Sequence, residues 1–170
     1  MTSPVAGPHR VPLLILIAAL ASLAVAFASQ YWGGLQPCVL CVYQRYPYGV
    51  AAALGLIGLG LARHPAQLRI VVALAGIVFL ADAAIAFYHV GVEQHWWQGT
   101  AECGSDLGSG LSFEELQKQI LSTPVVRCDQ VPWSLFGISI AGYNFIYATL
   151  CGIAALWAAL RLGANRRAVA

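Results

Sequence analysis

Four long apolar runs set the pattern of this chain. The first, from Val11 to about Ser29, carries no charge, and the second, from Tyr46 to Ala62, is shorter and richer in glycine and alanine. The third, from Leu68 to Tyr88, holds one acid, Asp82, and the fourth, from Leu135 to Leu160, holds no charge. An α-helix needs about 20 apolar residues to cross a bilayer, so each run predicts a span. The expected architecture is an all-α membrane protein, a four-transmembrane-helix bundle, with residues 1–170 as a single integral membrane domain. The spans are placed at 11–29, 46–62, 68–88 and 135–160, with outer loops at 30–45 and 89–134.

Ala26-Phe27-Ala28 ahead of Ser29, with Arg10 before the apolar stretch, also fits a cleaved signal peptide. The stretch is longer than an ordinary signal core, so an intact first span is the expectation. Within the long loop, Ser112 and Glu115 form a capping box, and Leu116, Ile120 and Leu121 recur on one face before Pro124. A short amphipathic helix is expected in this second outer loop, either covering loop backbone or lying on the membrane surface. Gly49, Ala53 and Gly76 are the small residues expected to allow close helix approach.

Composition agrees with the bilayer as solvent: 59% of residues are hydrophobic, 9% are charged, and the mean hydropathy is +0.72. No room is left for a separate soluble domain. A net charge of +2 argues for neither nucleic acid nor an acidic substrate. Charge placement says more. Arg10, Arg63, Arg69, Arg161, Arg166 and Arg167, six of the nine basic residues, fall on one side of the expected spans. That side is read as the cytoplasm, with both termini on it. The opposite loops hold Cys38, Cys41, Cys103 and Cys128, and in a bacterium they face the periplasm, where disulfides persist.

Cys38-Val39-Leu40-Cys41 is the strongest chemical signal, a Cys-x-x-Cys behind Pro37 at the point where the chain re-enters the membrane. Amides at a helix start lower a cysteine pKa, which favours a redox pair. A zinc site would need further ligands, and no second Cys-x-x-Cys is present, so no metal is expected. Arg45 follows Cys41 by four residues and lies one turn below it on a continuous helix, suited to stabilising a thiolate or to meeting lipid phosphate. Pro47 argues for a helix that begins instead near Arg45. Cys103 and Cys128 on their own read as a stabilising pair. A mobile loop pair beside a membrane-edge pair reads instead as an exchange relay. Asp82, an acid inside a span, is a candidate for function by its cost there, with a packing role expected. Cys151 reads as an inert apolar residue, and Trp96, Trp97 and Trp133 read as an interfacial belt.

Pro37-Cys38-Val39-Leu40-Cys41 with Gln44-Arg45, then Tyr88-His89, Cys103, Cys128 and Trp133 ahead of Phe136-Gly137, resembles the DsbB family of disulfide bond formation proteins. The resemblance covers nearly the whole chain. It implies a protein dithiol:quinone oxidoreductase of the bacterial inner membrane, which reoxidises a periplasmic DsbA-like thioredoxin-fold carrier and passes electrons to ubiquinone or menaquinone. It implies that the carrier attacks a Cys103–Cys128 disulfide at Cys103, that Cys128 resolves onto Cys38, and that Cys41 is released as a thiolate beside Arg45. It places His89, at the start of the long loop, and Trp133 near the quinone. The non-enzymatic alternative is a tetraspanin-like four-span scaffold with structural disulfides, against which stands the membrane-edge Cys-x-x-Cys. A vitamin K epoxide reductase-like enzyme would carry its Cys-x-x-Cys after the loop pair, and here it comes before.

Overall fold

A computed structural model of the chain describes residues 9–103 and 126–167. It is mostly helical. Helix α1 runs Arg10–Tyr31, α2 Val39–Tyr43, α3 Arg45–Gly60, α4 Pro65–Glu93 and α5 Ile140–Arg167. A 3-10 turn, Ala101–Cys103, follows α4, and two short strands, β1 (Ser134–Leu135) and β2 (Ile138–Ser139), precede α5. The segment expected to form the amphipathic helix lies outside the described residues.

Among the described residues, three helices are long and apolar enough to cross a membrane: α1, α4 and residues Ile140–Leu162 of α5. The expected span at 46–62 is present as α3, but its 16 residues extend only about 24 Å, short of the hydrocarbon thickness. Pro47 explains the shortening. A helix continuous through it would set the proline ring against the carbonyl of Tyr43, four residues earlier, and α2 ends at that residue. Restarting at Arg45 leaves Pro47 in the first turn, where an amide hydrogen has no intrahelical partner in any case.

Helix α4 packs along α5 and against α3, and α3 packs against α1. The core joins Ile15 and Ala19 of α1, Tyr48 and Ala51 of α3, Leu68, Val72, Ala75 and Phe79 of α4, and Ala155 and Ala159 of α5. Leu14, Ile17, Leu56, Ile77, Leu150 and Leu160 face outward. Apolar residues on both faces are what a bundle in lipid requires, since nothing drives its outer surface to be polar.

Close approach depends on glycines other than most of those expected. A Cβ on Gly76 would stand 2.8 Å from Leu156 Cγ, one on Gly55 2.9 Å from the Leu16 backbone nitrogen, and one on Gly58 2.8 Å from Pro12 Cβ. Gly49 meets nothing within 4 Å, and Ala53 is exposed. Of the three small residues expected at interfaces, only Gly76 is at one.

Two span ends also differ from expectation. The run from Leu135 opens with a hairpin rather than a helix: Leu135 pairs with Ile138 across Phe136 and Gly137, at φ 51° and 77°. Positive φ at both central residues matches the twist of a two-residue hairpin, and glycine accommodates the second. At the other end, α4 continues one turn past Tyr88, so His89 is part of the helix and not the start of a loop.

Gly76→Val is expected to wedge α4 from α5 and destabilise the chain by about 1–3 kcal/mol, as overpacking does, read as a lower thermal unfolding midpoint in detergent. Gly49→Val, with open space around it, should leave the midpoint near that of the wild type.

Candidate redox site and its buried polar surroundings

The outer loop delivers Cys38 to the start of α2, where it is the N-cap in extended backbone conformation. Its sulfur accepts a hydrogen bond from the Cys41 amide at 3.4 Å and lies 3.1 Å from the Cys41 sulfur. Both are free thiols here. On the far side, His89 Nε2 of α4 is 3.5 Å from Cys38 Sγ. Cys38 and His89 are nearly inaccessible, at 4% and 2% exposure, whereas Cys41 is partly open.

The two thiols are unequal. Hydrogen bonding from the Cys41 thiol, opposed by burial and reinforced by His89, lowers the Cys38 pKa to about 4. Donating that hydrogen bond, together with burial, raises the Cys41 thiol above its ordinary value. In the dithiol state the negative charge therefore sits on Cys38; the Cys41 thiolate that the resemblance implies belongs to a different state, in which Cys38 is joined to Cys128. The α2 amide contributes, but less than the partner thiol.

Cys103 and Cys128 form a disulfide, with Cα atoms 5.2 Å apart. Both are buried, and they share one apolar cluster with Cys38, Leu40 and Val92. The chain thus brings its two cysteine pairs together, although 62 residues separate Cys41 from Cys103. Cys41 packs on the edge of this cluster and also lines a mostly apolar cavity of about 380 Å³.

The cavity lies among α1, the first outer loop, α3 and α5, and its wall includes Ala26, Pro37, Cys41, Gln44, Arg45, Tyr48, His89 and Asn144. Arg45 is aimed at α1: its Nη1 donates to Gln30 Oε1 at 2.8 Å, and its guanidinium lies 4.8 Å from the centre of the Phe27 ring. Arg45 Nε is buried with no hydrogen-bond partner. Trp133 is not in the wall; it is 42% exposed and packs on Tyr143, while its neighbour Pro132 does line the cavity.

Sequence reasoning singled out Asp82 and His89 among the polar groups behind the cysteines, but not Glu93, Ser139 or Asn144. Glu93, one turn after His89, has Oε1 3.9 Å from His89 Nε2. Its other oxygen accepts from the hydroxyl of Ser139, which also accepts from the Gly142 amide as the cap of α5. Gln44 Nε2 is 3.0 Å from His89 Nδ1, and Asn144 Nδ2 donates both to Gln44 Oε1 at 2.7 Å and to Asp82 Oδ2 at 3.0 Å. The four-residue spacing of His89 and Glu93 was a readable signal. The pairing of Gln44 with Asn144, 100 residues apart, was not.

Cys38, Cys41 and His89 hold their donor atoms within 4.8 Å of one another, a soft set that suits a metal by type. The spacing suits disulfide exchange better. Two thiolates on a tetrahedral zinc stand about 3.8 Å apart, given the usual zinc–sulfur length, whereas these sulfurs are 3.1 Å apart.

A helical membrane protein with a polarised dithiol at the head of one helix, packed against a loop disulfide and opening on an apolar cavity, is of the thiol–disulfide exchange class. The sequence family described as "Disulfide bond formation protein DsbB" matches residues 8–158, and the chain belongs to that family. It is 33% identical to disulfide bond formation protein B of Verminephrobacter eiseniae, over 96% of this chain and 93% of that one. It is 29% identical to the protein of that name in Polaromonas naphthalenivorans, over 94% and 96% of the two chains. The Stutzerimonas stutzeri protein of the same name is 26% identical over 92% and 97%. No solved structure matches.

The polarised pair makes a direct prediction. The reduced chain should show the ultraviolet absorbance of one thiolate at pH 6 and lose it as the pH falls through about 4. Removing the hydrogen-bond donor in Cys41→Ala destabilises the thiolate, so its absorbance step should move to higher pH.

Proposed function

We propose that the chain is a protein dithiol:quinone oxidoreductase that reoxidises a periplasmic DsbA-like carrier, supporting disulfide bond formation. The observation that carries this reading is the placement of the two adjacent sulfurs: Cys38 lies in the buried cluster with Cys103 and Cys128, while Cys41 lines the apolar cavity. One sulfur exchanges with the loop pair and the other meets the oxidant.

In this reading the carrier's thiolate attacks Cys103, breaking the Cys103–Cys128 bond and leaving Cys128 as a thiolate. Cys128 attacks Cys38 of an oxidised Cys38–Cys41 pair and releases Cys41. The carrier's second thiol displaces Cys103, so the carrier leaves oxidised by two electrons. Cys103 then attacks Cys128, their bond re-forms, and Cys38 and Cys41 hold the electron pair as a dithiol.

The cavity fits a quinone head group. Its walls are mainly apolar, its volume is within the range of small-molecule sites, and the unpartnered Arg45 Nε–H is a donor for a carbonyl oxygen. Bound there, a quinone of the ubiquinone or menaquinone class supplies the two-electron oxidant. Arg45, braced by Gln30, would hold that ring, and His89 would hold a proton near Cys38. Trp133 would not touch that ring, since only its neighbour Pro132 lines the cavity.

Four spans complete the reading. Helix α3 is the remaining crossing, with α2 ahead of it at the outer membrane edge, and the arginine distribution supports both termini in the cytoplasm and all four active cysteines in the periplasm of a bacterial inner membrane.

The test is quinone reduction by the purified chain in detergent, driven by a reduced thioredoxin-fold carrier. Wild type should turn over, and Cys41→Ser and Cys103→Ser should each lose more than about 99% of the rate, as loss of a nucleophile does. A folded wild type that reduces no ubiquinone or menaquinone analogue with any such carrier rejects the reading.

A further inference from the structure

Asp82 is fully buried within α4, and the relay as drawn makes no use of it. Its Oδ2 accepts from Asn144 Nδ2 at 3.0 Å, and its Oδ1 has no hydrogen-bond partner. From Asn144 the contacts lead through Gln44 to His89 and so to Cys38.

The direction of this chain is decided at its Asp82 end. Tyr48, Asn144, Gln44 and His89 each have both a donor and an acceptor, so none of them alone fixes which way the bonds run. A carboxylate oxygen without a proton only accepts. Asn144 must therefore turn its amide nitrogen toward Asp82. The same nitrogen donates to Gln44 Oε1, and Asn144 Oδ1 accepts from the Tyr48 hydroxyl. Turning the Asn144 amide over would set its oxygen against the carboxylate and leave Tyr48 to reverse. With Gln44 Oε1 occupied, its Nε2 faces His89 and donates to Nδ1 at 3.0 Å. Nδ1 is then an acceptor, and the neutral ring carries its proton on Nε2, the nitrogen 3.5 Å from Cys38 Sγ.

We propose that Asp82 is a positioning residue: its carboxylate, acting through Asn144 and Gln44, fixes the His89 tautomer that directs an N–H at the Cys38 sulfur. The inference rests on the redox reading above, in that Cys38 is the sulfur served. A carboxyl group buried among apolar helices is costly, and here it supplies a fixed polarity at the end of the run away from Cys38, one that persists when Cys38 is in a disulfide and carries no charge. Glu93 favours the same tautomer but does not fix it, since its nearer oxygen stands 3.9 Å from Nε2, beyond hydrogen-bonding reach.

The test reads the tautomer itself. The full chain, with its four histidines labelled with nitrogen-15 and Cys38 and Cys41 oxidised to a disulfide so that no thiolate faces Nε2, is compared in detergent by long-range proton–nitrogen correlation, the His89 signal being the one absent in His89→Gln. Wild type should show His89 protonated on Nε2 alone. Asp82→Asn, nearly isosteric but able to turn either edge to Asn144, should show both tautomers, as should Asp82→Leu. Gln44→Glu, which only accepts, should place a proton on Nδ1 whatever stands at position 82. The proposal is overturned if His89 stays protonated on Nε2 alone in the Asp82 variants, if it does so in Gln44→Glu, or if wild type carries its proton on Nδ1. Should Asp82→Leu not fold, Asp82→Asn decides. No carrier or quinone is present, so a failure here leaves the thiol oxidase reading standing, and a failure of quinone reduction leaves the spectrum unchanged.

Discussion

Pro47 lacks an amide hydrogen, and its ring clashes with a carbonyl one turn back, so an unbroken helix from Val39 to Gly60 is disfavoured. The break falls at Gln44, which closes α2 and opens α3. Much of the site follows from this interruption. Cys38 and Cys41 stay on a five-residue helix of their own, and Arg45 begins a separate helix whose side chain reaches α1 instead of Cys41. Gln44, at the joint, is buried and pairs with α4 on one side and α5 on the other. A continuous helix would have given the pair a regular backbone and left no reason for a long-range polar junction at this point.

Around that junction the packing is tight. Gly55, Gly58 and Gly76 draw their helices together until a methyl group would collide. Such packing transmits position, because interiors at this density do not deform continuously. The consequence at the site is that His89, carried on the same helix as Gly76 and Asp82, is held against Cys38 by helix contacts many residues away. Its place beside the thiol is a property of the α4 register.

The helical membrane class and the disulfide bond formation family were legible in the sequence because both depend on local patterns. Uninterrupted apolar runs give spans, and a Cys-x-x-Cys behind a proline gives a helix-start redox pair. The break near Arg45 was readable from Pro47 alone. What was not legible is of two kinds. Hydropathy marks where apolar character ends, not where a helix ends: His89-Val90-Gly91-Val92-Glu93 remains helical because its polar side chains find internal partners, so His89 looked like the first residue of a loop. Long-range pairing leaves no periodic trace either. Nothing in the spacing of Asp82, Gln44 and Asn144 announces that they meet, and the choice of Gly55 over Gly49 as a contact depends on which face of α3 turns inward.

The distribution of unsatisfied groups separates a redox site from an inert scaffold. Among the described residues, three buried side-chain polar atoms lack a partner: Arg45 Nε, Asp82 Oδ1 and Glu93 Oε1. Each such group costs about 1–3 kcal/mol relative to one that is hydrogen-bonded, and stability alone would have replaced them with apolar residues. All three belong to residues within the cavity wall or the polar groups behind the cysteines. A static disulfide staple requires no such company, since two buried sulfurs need neither a cation nor carboxylates near them. Charged groups retained around one dithiol, in an environment that penalises each of them, are what a site needs when charge and protons must appear and disappear at its sulfurs.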